Sequence, residues 1–519
     1  MHPSSVSQTI VPGSSAARVR GPSATRIESW LGLPGLLWGS VLIVSLAPLT
    51  APVTDPDFWW HVRTGRWIVE HAALPHHDLY TFTAVGHPWT DYEYLSEVLI
   101  WLLFAHGGLA GVSIGFGLLT WIGLLFLART VQLDGSPFTS GAPALALGVV
   151  AAMPVWGPRV QVIAFTFACV ELWLLRRFMA RPDRSIFWLP PLVALWANLH
   201  GSWPLALALL ALAMMTAGWR LRLGPEPEVA RARLRILVPV TALAVLATLC
   251  TPHGPAVYGA ALAPLTSRAQ QALIQEWQSP DFHDPALWAL GAMILLLVAG
   301  LAHSSRADLF GVLVSLTTLA LALLAVRNIP LFVAGAVPTL AAAWGDILRR
   351  ACPRRRLPAG PRLGPRLGGA ITAVVLAAVL VATGAATGRS LGRQDQLVRR
   401  NMPVGAANWL AAHPSLGTRM FNDWAWGGYL VYRFAPEPHR RVFIFGEASV
   451  MGDPLIWSYA AVAFLHPDWQ QILDASGVDY AVLHRNDPLA MALVRRGWKV
   501  AYQDQTAVIV VRASLSEPR

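Results

Sequence analysis

Eleven apolar runs constrain the fold of this chain more than any other feature of its sequence. A helix needs about 20 mostly apolar residues to cross the hydrocarbon layer of a membrane. Hydrophobic residues make up 55% of the 519 residues and charged residues only 13%, far from the composition of a soluble domain. The sequence therefore predicts a polytopic α-helical membrane protein with about 11 transmembrane helices, at residues 31–50, 108–128, 141–157, 160–175, 186–199, 203–219, 236–250, 286–302, 308–326, 330–348 and 369–388.

The distribution of Lys and Arg predicts how these helices are oriented, because cytoplasmic loops carry an excess of both residues. With the N-terminus in the cytoplasm, 21 basic residues fall on the inner side, five in the outer loops and 14 after the last run. We therefore expect a multi-pass protein of the inner (plasma) membrane with a cytoplasmic N-terminus and an extracytoplasmic C-terminal domain. Most of the net charge of +11 then contacts membrane lipids, and nucleic acid is not an expected partner.

The polar segments divide the chain into three parts. Residues 1–29 are rich in Ser, Pro and Gly and are expected to be a disordered cytoplasmic tail. Residues 30–388 form the transmembrane part, with a first outer loop at 51–94 that contains interfacial helices. Residues 389–519 alternate predicted strands with amphipathic helices, which indicates an exported α/β domain whose last two strands form a hairpin through Asp504–Gln505.

The first outer loop carries the densest set of chemically capable side chains, beginning with the sequence TDPDFWWHVRTGRW. On a helix, Asp57 and His61 stand one turn apart on one face, and Arg63 lies in a stripe with two tryptophans. From the spacing alone, an interfacial anchor helix with solvated charges is an alternative to a functional site. The loop continues with further acids that are placed to face Asp57 where it returns to the membrane: Asp91, Glu93 and Glu97.

A candidate metal motif in this loop is His76–His77–Asp78. Adjacent histidines in a strand point to opposite faces, so these side chains are poorly arranged to share one ion. We therefore expect no metal site and no cofactor, while dependence of the activity on a divalent metal stays open.

Several motifs together resemble a known class of membrane enzymes. The patterns DPDFWWHVRTG…HPWTDYEYLSEVL, LWANLHGSWPLAL, IQEWQSPDF and NDWAWGGYL resemble an uncharacterised bacterial branch of the C-type (GT-C) glycosyltransferases, which use sugars linked to polyprenyl phosphate. The resemblance implies that an acidic residue of the first outer loop, here Asp55 or Asp57, accepts the proton of the acceptor or binds a metal. We favour Asp57 as the catalytic base, since Pro56 favours Asp55 as the residue that starts the helix.

Other outer segments supply candidates for binding the sugar and the lipid phosphate. Glu276 is a further candidate acid and Trp277 suits stacking against a sugar, with a solvated loop carboxylate as the alternative. His200 lies at a tight outer turn, where it either stabilises the turn or reaches the same cavity. Arg327 and Asn328 lie at the outer end of a predicted span, where an arginine needs a partner. The GT-C resemblance supplies the lipid phosphate as that partner, and snorkelling to the headgroups is the alternative.

The sequence MFNDWAWGGYL opens the C-terminal domain and combines a strand end with the start of a helix, which Asp423 is placed to cap. The order of Asp423, Trp424 and Trp426 weakly resembles the WWDYG motif of oligosaccharyltransferases. It differs because the aspartate precedes the tryptophans and Ala425 separates them. Peptide binding is therefore not carried over, and both packing and acceptor contact are open for these residues.

These features lead to one main hypothesis and two alternatives. The chain is expected to be an integral membrane glycosyltransferase that moves a sugar from a polyprenyl-phosphate donor to an extracytoplasmic acceptor. The alternatives are a non-catalytic envelope-assembly scaffold with a GT-C shape, and a lipid or polysaccharide transporter. Convergence of Asp57, Glu276 and Arg327 on one cavity favours the enzyme over the scaffold, whereas a transporter needs polar residues along a path through the membrane.

Overall fold

Helices dominate the computed structural model, which describes residues 32–305, 308–351, 365–435 and 440–513. The predicted cytoplasmic tail at 1–29 lies outside the described residues. Each of the 11 apolar runs overlaps one helix of the structure. The helices up to residue 391 are α1 (Leu33–Leu49), α2 (Phe58–His71), α3 (Tyr94–Leu133), α4 (Phe138–Ala151), α5 (Gln161–Ala180), α6 (Leu189–Leu199), α7 (Pro204–Leu223), α8 (Pro227–Ala247), α9 (Ala256–Thr266), α10 (Arg268–Leu273), α11 (Trp288–His303), α12 (Leu309–Leu324), α13 (Ile329–Ala351) and α14 (Pro365–Leu391).

Helix length and hydropathy identify the segments that cross a membrane most readily. Helices α1 and α12 match predicted runs and are apolar, but each is shorter than 18 residues. The chain is a helical membrane protein, and the total of 11 crossings stays a prediction. Five segments are long and apolar enough by length and composition: Tyr94–Leu133, Pro204–Leu223, Pro285–His303, Val326–Ala351 and Leu367–Asn401.

Helix α3 is interrupted close to the start of its predicted span. It has 40 residues, which corresponds to roughly 60 Å, about twice the thickness of the hydrocarbon layer. Gly108 breaks the helix with φ 57° and ψ −156°, a conformation that residues with a Cβ rarely adopt. The part before Gly108 therefore extends the first outer loop, and the part after it matches the predicted run at 108–128.

Helices α5 and α13 form the centre of the membrane part. Helix α13 is buried along most of its length and packs against α4, α5, α11 and α12. Helix α14, by contrast, is largely exposed and packs mainly against α1. An apolar helix with few protein neighbours fits a position at the lipid-facing edge of the bundle.

The C-terminal domain contains a five-stranded mixed sheet with strand order β2-β1-β3-β5-β4. Strand β1 is parallel to β2 and β3, whereas β5 is antiparallel to β3 and β4. The predicted hairpin at the end of the chain is therefore confirmed. The elements are α15 (Gln394–Asn401), α16 (Val404–Ala412), β1 (Arg419–Asn422), α17 (Trp424–Phe434), β2 (Arg441–Val442), α18 (Ala448–Ala463), α19 (Trp469–Ala475), β3 (Tyr480–His484), α20 (Pro488–Arg495), β4 (Lys499–Gln503) and β5 (Ala507–Val511).

The first outer loop continues this sheet beyond its β2 edge. The N–H of Phe82 donates to the Val442 carbonyl oxygen at 3.3 Å, and the N–H of Val442 donates to the Tyr80 carbonyl oxygen at 3.3 Å. The Thr83 hydroxyl donates to the Phe443 carbonyl oxygen at 2.5 Å. Since a sheet edge presents unpaired backbone groups, this pairing joins the C-terminal domain firmly to the loop that carries the candidate site.

Candidate active site

The candidate site is built around Asp57, at the start of helix α2. The Asp55 carboxylate accepts a hydrogen bond from the Asp57 N–H at 3.0 Å and so organises the turn before the helix. The sequence predicted Asp55 as the residue that starts the helix, but the structure gives that position to Asp57, because the chain makes one turn through Pro56 before the helix begins. Asp57 is the residue immediately before α2, and its carboxylate lies against the C-terminal domain.

Two glycines allow the C-terminal domain to approach this turn closely. A Cβ on Gly446 would overlap the Asp57 carboxylate, and a Cβ on Gly428 would lie 2.7 Å from the Pro56 carbonyl oxygen. Gly446 follows β2 and Gly428 lies in α17, so two separate elements of the domain form one wall of the site. Any side chain at either position would force the domain and the loop apart.

A second acidic group comes from the end of the same loop and the start of α3. Glu93 Oε1 lies 3.5 Å from His200 Nε2, and Glu97 Oε1 lies 3.2 Å from His61 Nδ1. Asp91 is only 3% exposed and Glu97 is fully buried. The carboxyl groups of Asp91 and Glu97 are hydrogen-bond partners of each other. Two buried carboxyl groups in contact favour a shared proton over two negative charges.

Two arginines reach the acidic groups from other segments. Arg159, in the turn between α4 and α5, forms ion pairs with Asp55, at 3.3 Å, and with Glu276. Arg327, in the short turn between α12 and α13, places its guanidinium carbon 4.6 Å from the centroid of the Trp277 ring. In the part of the chain that the structure describes, no carboxylate lies within ion-pair distance of Arg327. Its charge is therefore available to an anionic ligand.

The environment of Asp57 strongly favours the protonated carboxyl. Burial raises the pKa of Asp57 to about 8, and the negative charges of Asp55, Glu276 and Glu447 add to the shift. The Trp60 indole acts in the opposite direction. A carboxyl with a pKa near neutrality accepts and releases a proton at physiological pH, which a general base must do.

Other titratable groups of the site are shifted in the same sense, towards their neutral forms. Burial raises the pKa of Asp91 to about 7. The pKa of Glu93 also rises because of burial, while the nearby Arg327 opposes the shift. Burial lowers the pKa of both His61 and His200 to about 3, so both imidazoles are neutral at physiological pH. Their contacts with the carboxylates are therefore not ion pairs.

Two of the predicted binding residues lie outside this cluster. Arg63 is 8% exposed and is located beside Tyr80 and Tyr432, on a different side of α2 from Asp57. The Asn328 side-chain amide donates to the Leu321 carbonyl oxygen at 3.1 Å, which satisfies the end of α12. Both side chains therefore contact other parts of the protein. Helical spacing placed Arg63 in a stripe of α2, and Asn328 was expected at the outer end of a span, but neither pattern shows packing from distant segments.

The predicted binding residues at the start of α17 take part in packing. Asp423 caps the helix through a backbone N–H at 2.9 Å, as its sequence position predicted. The Trp426 side chain is 1% exposed, and its indole N–H donates to the Asn401 carbonyl oxygen at 2.8 Å. The Trp424 ring lies edge-on to Tyr459, with 5.6 Å between the ring centroids.

Two residues of the site were not singled out from the sequence for a chemical role. Arg159 counted only as an outer-loop arginine, and Glu447 was not considered. Glu447 follows Gly446 at the start of α18, and its charge contributes to the raised pKa of Asp57, Asp91 and Glu93. A signal for Glu447 was present in FIFGEASV, where a Gly-Glu pair ends an apolar strand.

The candidate metal motif of the first loop has a structural role. Asp78 accepts hydrogen bonds from the backbone N–H groups of Tyr80 and Thr81 at 3.1 and 3.0 Å. Across the described residues, no three His, Cys, Asp or Glu side chains come together as a group that could hold a metal ion.

A membrane bundle of many helices, an acidic first outer loop with a surface helix, and a C-terminal α/β domain paired to that loop together define a GT-C-type fold. Solved structures support this class. The oligosaccharyltransferase of Archaeoglobus fulgidus, tethered to an acceptor peptide with the NVT sequon, aligns with a TM-score of 0.51 and 12% identity over 86% of this chain and 68% of that one.

The same archaeal enzyme in complex with zinc and sulfate gives a TM-score of 0.52 at 13% identity, over 86% of this chain and 67% of that one. ArnT from Cupriavidus metallidurans bound to undecaprenyl phosphate gives 0.45 at 15% identity, over 93% of this chain and 99% of that one. Identities this low show the fold alone. No family model matches the chain, and no curated protein matches it significantly.

Proposed function

We propose that this protein is an integral membrane glycosyltransferase that transfers a sugar from a polyprenyl-phosphate donor to an extracytoplasmic acceptor, with inversion at the anomeric carbon. The GT-C-type fold supports the class of enzyme, and the site supports the chemistry. One observation carries the proposal. Asp57, a half-buried carboxyl with a pKa near neutrality, lies close enough to Arg159 for the two charges to interact, at the same end of the bundle as Arg327.

The proposed reaction uses Asp57 as the general base. Unprotonated Asp57 accepts the proton of an acceptor hydroxyl while the hydroxyl oxygen attacks C1 of the sugar. The bond between C1 and the phosphate oxygen breaks, and the polyprenyl phosphate leaves with the electron pair. Attack on the face opposite to the leaving phosphate inverts the configuration at C1. Arg327 binds the phosphate, because arginine suits phosphate geometry and this guanidinium has no carboxylate partner among the described residues.

The reaction is proposed to take place at the outer face of the plasma membrane. Residues 30–388 are the membrane domain in this proposal, and residues 389–519 are the exported domain. The positive-inside distribution of Lys and Arg supports this orientation. A membrane surface also allows the isoprenoid of the donor to lie in lipid while its phosphate and sugar reach the site.

The geometry favours an enzyme over a scaffold or a transporter. Glu276 raises the pKa of Asp57 and pairs with Arg159, and the neighbouring Trp277 contacts Arg327. Acids and arginines from four outer segments therefore meet at one place. A scaffold has no need for such a costly cluster, and a transporter would need polar groups along the membrane bundle rather than at its end.

Native mass spectrometry of the protein in nanodiscs tests the donor site directly. After incubation with undecaprenyl phosphate, the wild type should retain this lipid and Arg327→Ala should lose it. Arg268→Ala is the matched control. This arginine is exposed at the start of α10, so its substitution should leave retention unchanged. A protein that binds only bulk membrane lipids would favour the scaffold.

The same method tests the chemical step. Asp57→Asn purified from cells should carry polyprenyl phosphate with its sugar still attached, because the base that activates the acceptor is missing. The mass of the trapped lipid would identify the sugar. We expect the wild-type protein to release its sugar equally fast with and without EDTA, because the proposed steps use side chains alone.

A further inference from the structure

A cleft of about 350 Å³ lies between the first outer loop and the C-terminal domain. One wall is His87 and Pro88, and the other is the first part of α18, from Ser449 to Ser458. The His87 Nδ1 atom lies 3.1 Å from the Val450 carbonyl oxygen, which holds the two walls together. The volume falls within the range of small-molecule sites, roughly 300–1,000 Å³.

The lining of this cleft combines hydroxyl groups with apolar carbon and carries no Asp, Glu, Lys or Arg. Such a lining suits an uncharged ligand that has hydroxyl groups on an apolar frame. An acyl chain would need a wholly apolar lining, and a phosphate would need cationic groups. The polar lining residues are His87, Ser449 and Ser458, and the apolar ones are Pro88, Val450, Met451, Gly452, Pro454 and Leu455.

A short segment of the C-terminal domain connects the cleft to Asp57. Gly446 contacts the Asp57 carboxylate, Glu447 follows it, and Ser449 lines the cleft. The Ser449 N–H donates to Glu447 Oε1 at 3.1 Å, and the Ser449 hydroxyl donates to the same oxygen. These bonds hold the Glu447 carboxylate beside Ser449, which lines the cleft.

The charge around this segment restricts what the cleft can bind. Acids from two outer segments and the C-terminal domain outnumber the two arginines of the site, and the imidazoles of His61 and His200 are neutral. The cleft lining has no cation that could hold an anionic ligand, whereas the carboxyl oxygens of the acids can accept hydrogen bonds from hydroxyl groups. The acids concerned are Asp55, Asp57, Asp91, Glu93, Glu276 and Glu447.

We infer that this cleft is the acceptor site, that it binds an uncharged sugar unit of a glycan acceptor, and that Glu447 is an acceptor-binding residue contributed by the C-terminal domain. The inference rests on the proposed transferase function. It makes the C-terminal domain part of the site itself, since neither Glu447 nor the α18 wall comes from the membrane part.

Saturation-transfer NMR on the full protein in nanodiscs tests the cleft. The probes are methyl β-D-glucoside, methyl β-D-galactoside and methyl α-D-mannoside, with glucose 6-phosphate as the anionic comparison. Wild type should give signals with at least one methyl glycoside and much weaker signals with the phosphate. Ser458→Trp, which fills the cleft, should lose the signal, while Ser415→Trp at an exposed site remote from the cleft should keep it.

Equal signals from wild type and Ser458→Trp would overturn the inference, as would no signal from any of the three glycosides. An equally strong signal from glucose 6-phosphate would overturn the charge argument. If the tryptophan variant aggregates, Ser458→Phe provides the same steric test with a smaller ring.

Glu447 is tested by the rate of sugar release from donor-loaded protein. Glu447→Gln should release sugar at least tenfold more slowly on addition of a host envelope extract as the acceptor source, and Glu447→Asp should recover part of the rate. Retention of undecaprenyl phosphate should be unchanged in both variants. Loss of that retention would show that Glu447 acts on the donor side or on folding, and would overturn its assignment.

The two proposals fail in different ways. If glycosides bind in the cleft but the protein never retains polyprenyl phosphate, the cleft is a glycan-binding site and the proposed transferase function is wrong. If retention of polyprenyl phosphate depends on Arg327 but no glycoside binds, the transferase proposal stands and the acceptor cleft is overturned.

Discussion

At the scale of single residues, the protonation of Asp57 determines when the proposed base is active. Its pKa of about 8 means that most of the carboxyl is protonated at pH 7 and unable to accept a proton. We therefore predict that sugar transfer becomes faster as the pH rises from 6, with its midpoint near pH 8 and its plateau about one unit higher. The rate of sugar release from donor-loaded protein across this range measures the effect. A flat profile would remove Asp57 as the base.

Glu447 should influence this profile because its charge helps to keep Asp57 protonated. Removing the charge in Glu447→Gln is expected to shift the rising limb to lower pH. Loss of acceptor contact or of structural support alone would lower the rate at every pH and leave the midpoint in place. The midpoint of the variant's profile, compared with that of the wild type, separates the two roles.

The Asp57 carboxylate is also expected to lower the free energy of unfolding in the pH range where sugar transfer is fast. Its pKa is 3.8 as a free side chain and about 8 in the folded protein, so the folded state binds the proton more tightly. The stability that this difference provides is present below pH 3.8 and is lost as the pH rises through 8. Asp57→Asn should therefore lower transfer by at least about 100-fold and yet melt at the same or a higher temperature than wild type.

The difference in melting temperature between Asp57→Asn and wild type should grow from pH 6 to pH 9, because only the wild type acquires a buried charge. Thermal unfolding in detergent, followed by intrinsic tryptophan fluorescence, measures this difference. A variant that melts below wild type at every pH would show that Asp57 is needed for folding rather than for chemistry.

At the scale of elements, the site depends on how closely β2, α17 and α18 approach the first outer loop. Gly446→Ala places a methyl group on the Asp57 carboxylate, so we predict strong loss of sugar transfer together with loosened contact between loop and domain. Gly259→Ala is the matched control, since a Cβ there meets nothing within 4 Å and lies in helix α9. Hydrogen exchange at the paired backbone amides of Phe82 and Val442 should become faster in Gly446→Ala alone.

Local sequence patterns predicted the elements much better than the contacts between them. The eleven apolar runs and the terminal hairpin depend on hydrophobic periodicity within about 20 residues, which a single sequence displays directly. The pairing of Asp55 with Arg159 and the contact of Asp57 with Gly446 join segments far apart in the chain. No periodicity encodes such pairs, so Arg159 and Glu447 were missed while the acids of the first loop were found.

The packing of Arg63 and Trp426 has the same physical origin. Arg63 shares a helix with Asp57, and helical spacing correctly placed it on another face. Spacing could not show that Tyr80 and Tyr432 from other segments cover that face. Packing and acceptor contact were both open for Trp426 in NDWAWGGYL, and the structure buries its indole against α15.

At the scale of the whole molecule, the orientation in the membrane decides which compartment the acid cluster faces. The loops after α5 and α7 contain the arginine-rich segments that the positive-inside rule places in the cytoplasm. The candidate site lies at the opposite ends of these helices, because Arg159 precedes α5 and pairs with Asp55, and His200 precedes α7 and contacts Glu93. The proposed function therefore requires a C-terminus outside the cytoplasm.

Reporter fusions test this orientation. Alkaline phosphatase fused after Arg519 should be active, because the enzyme matures only outside the cytoplasm, whereas green fluorescent protein at the same position should be dark. Fusions that end at Gly224, after the arginines at the end of α7, should give the reverse pattern. Fluorescence at both positions would place the acid cluster in the cytoplasm, where an extracytoplasmic acceptor could not reach Asp57. Transfer to such an acceptor would then be excluded, even if the protein retained polyprenyl phosphate.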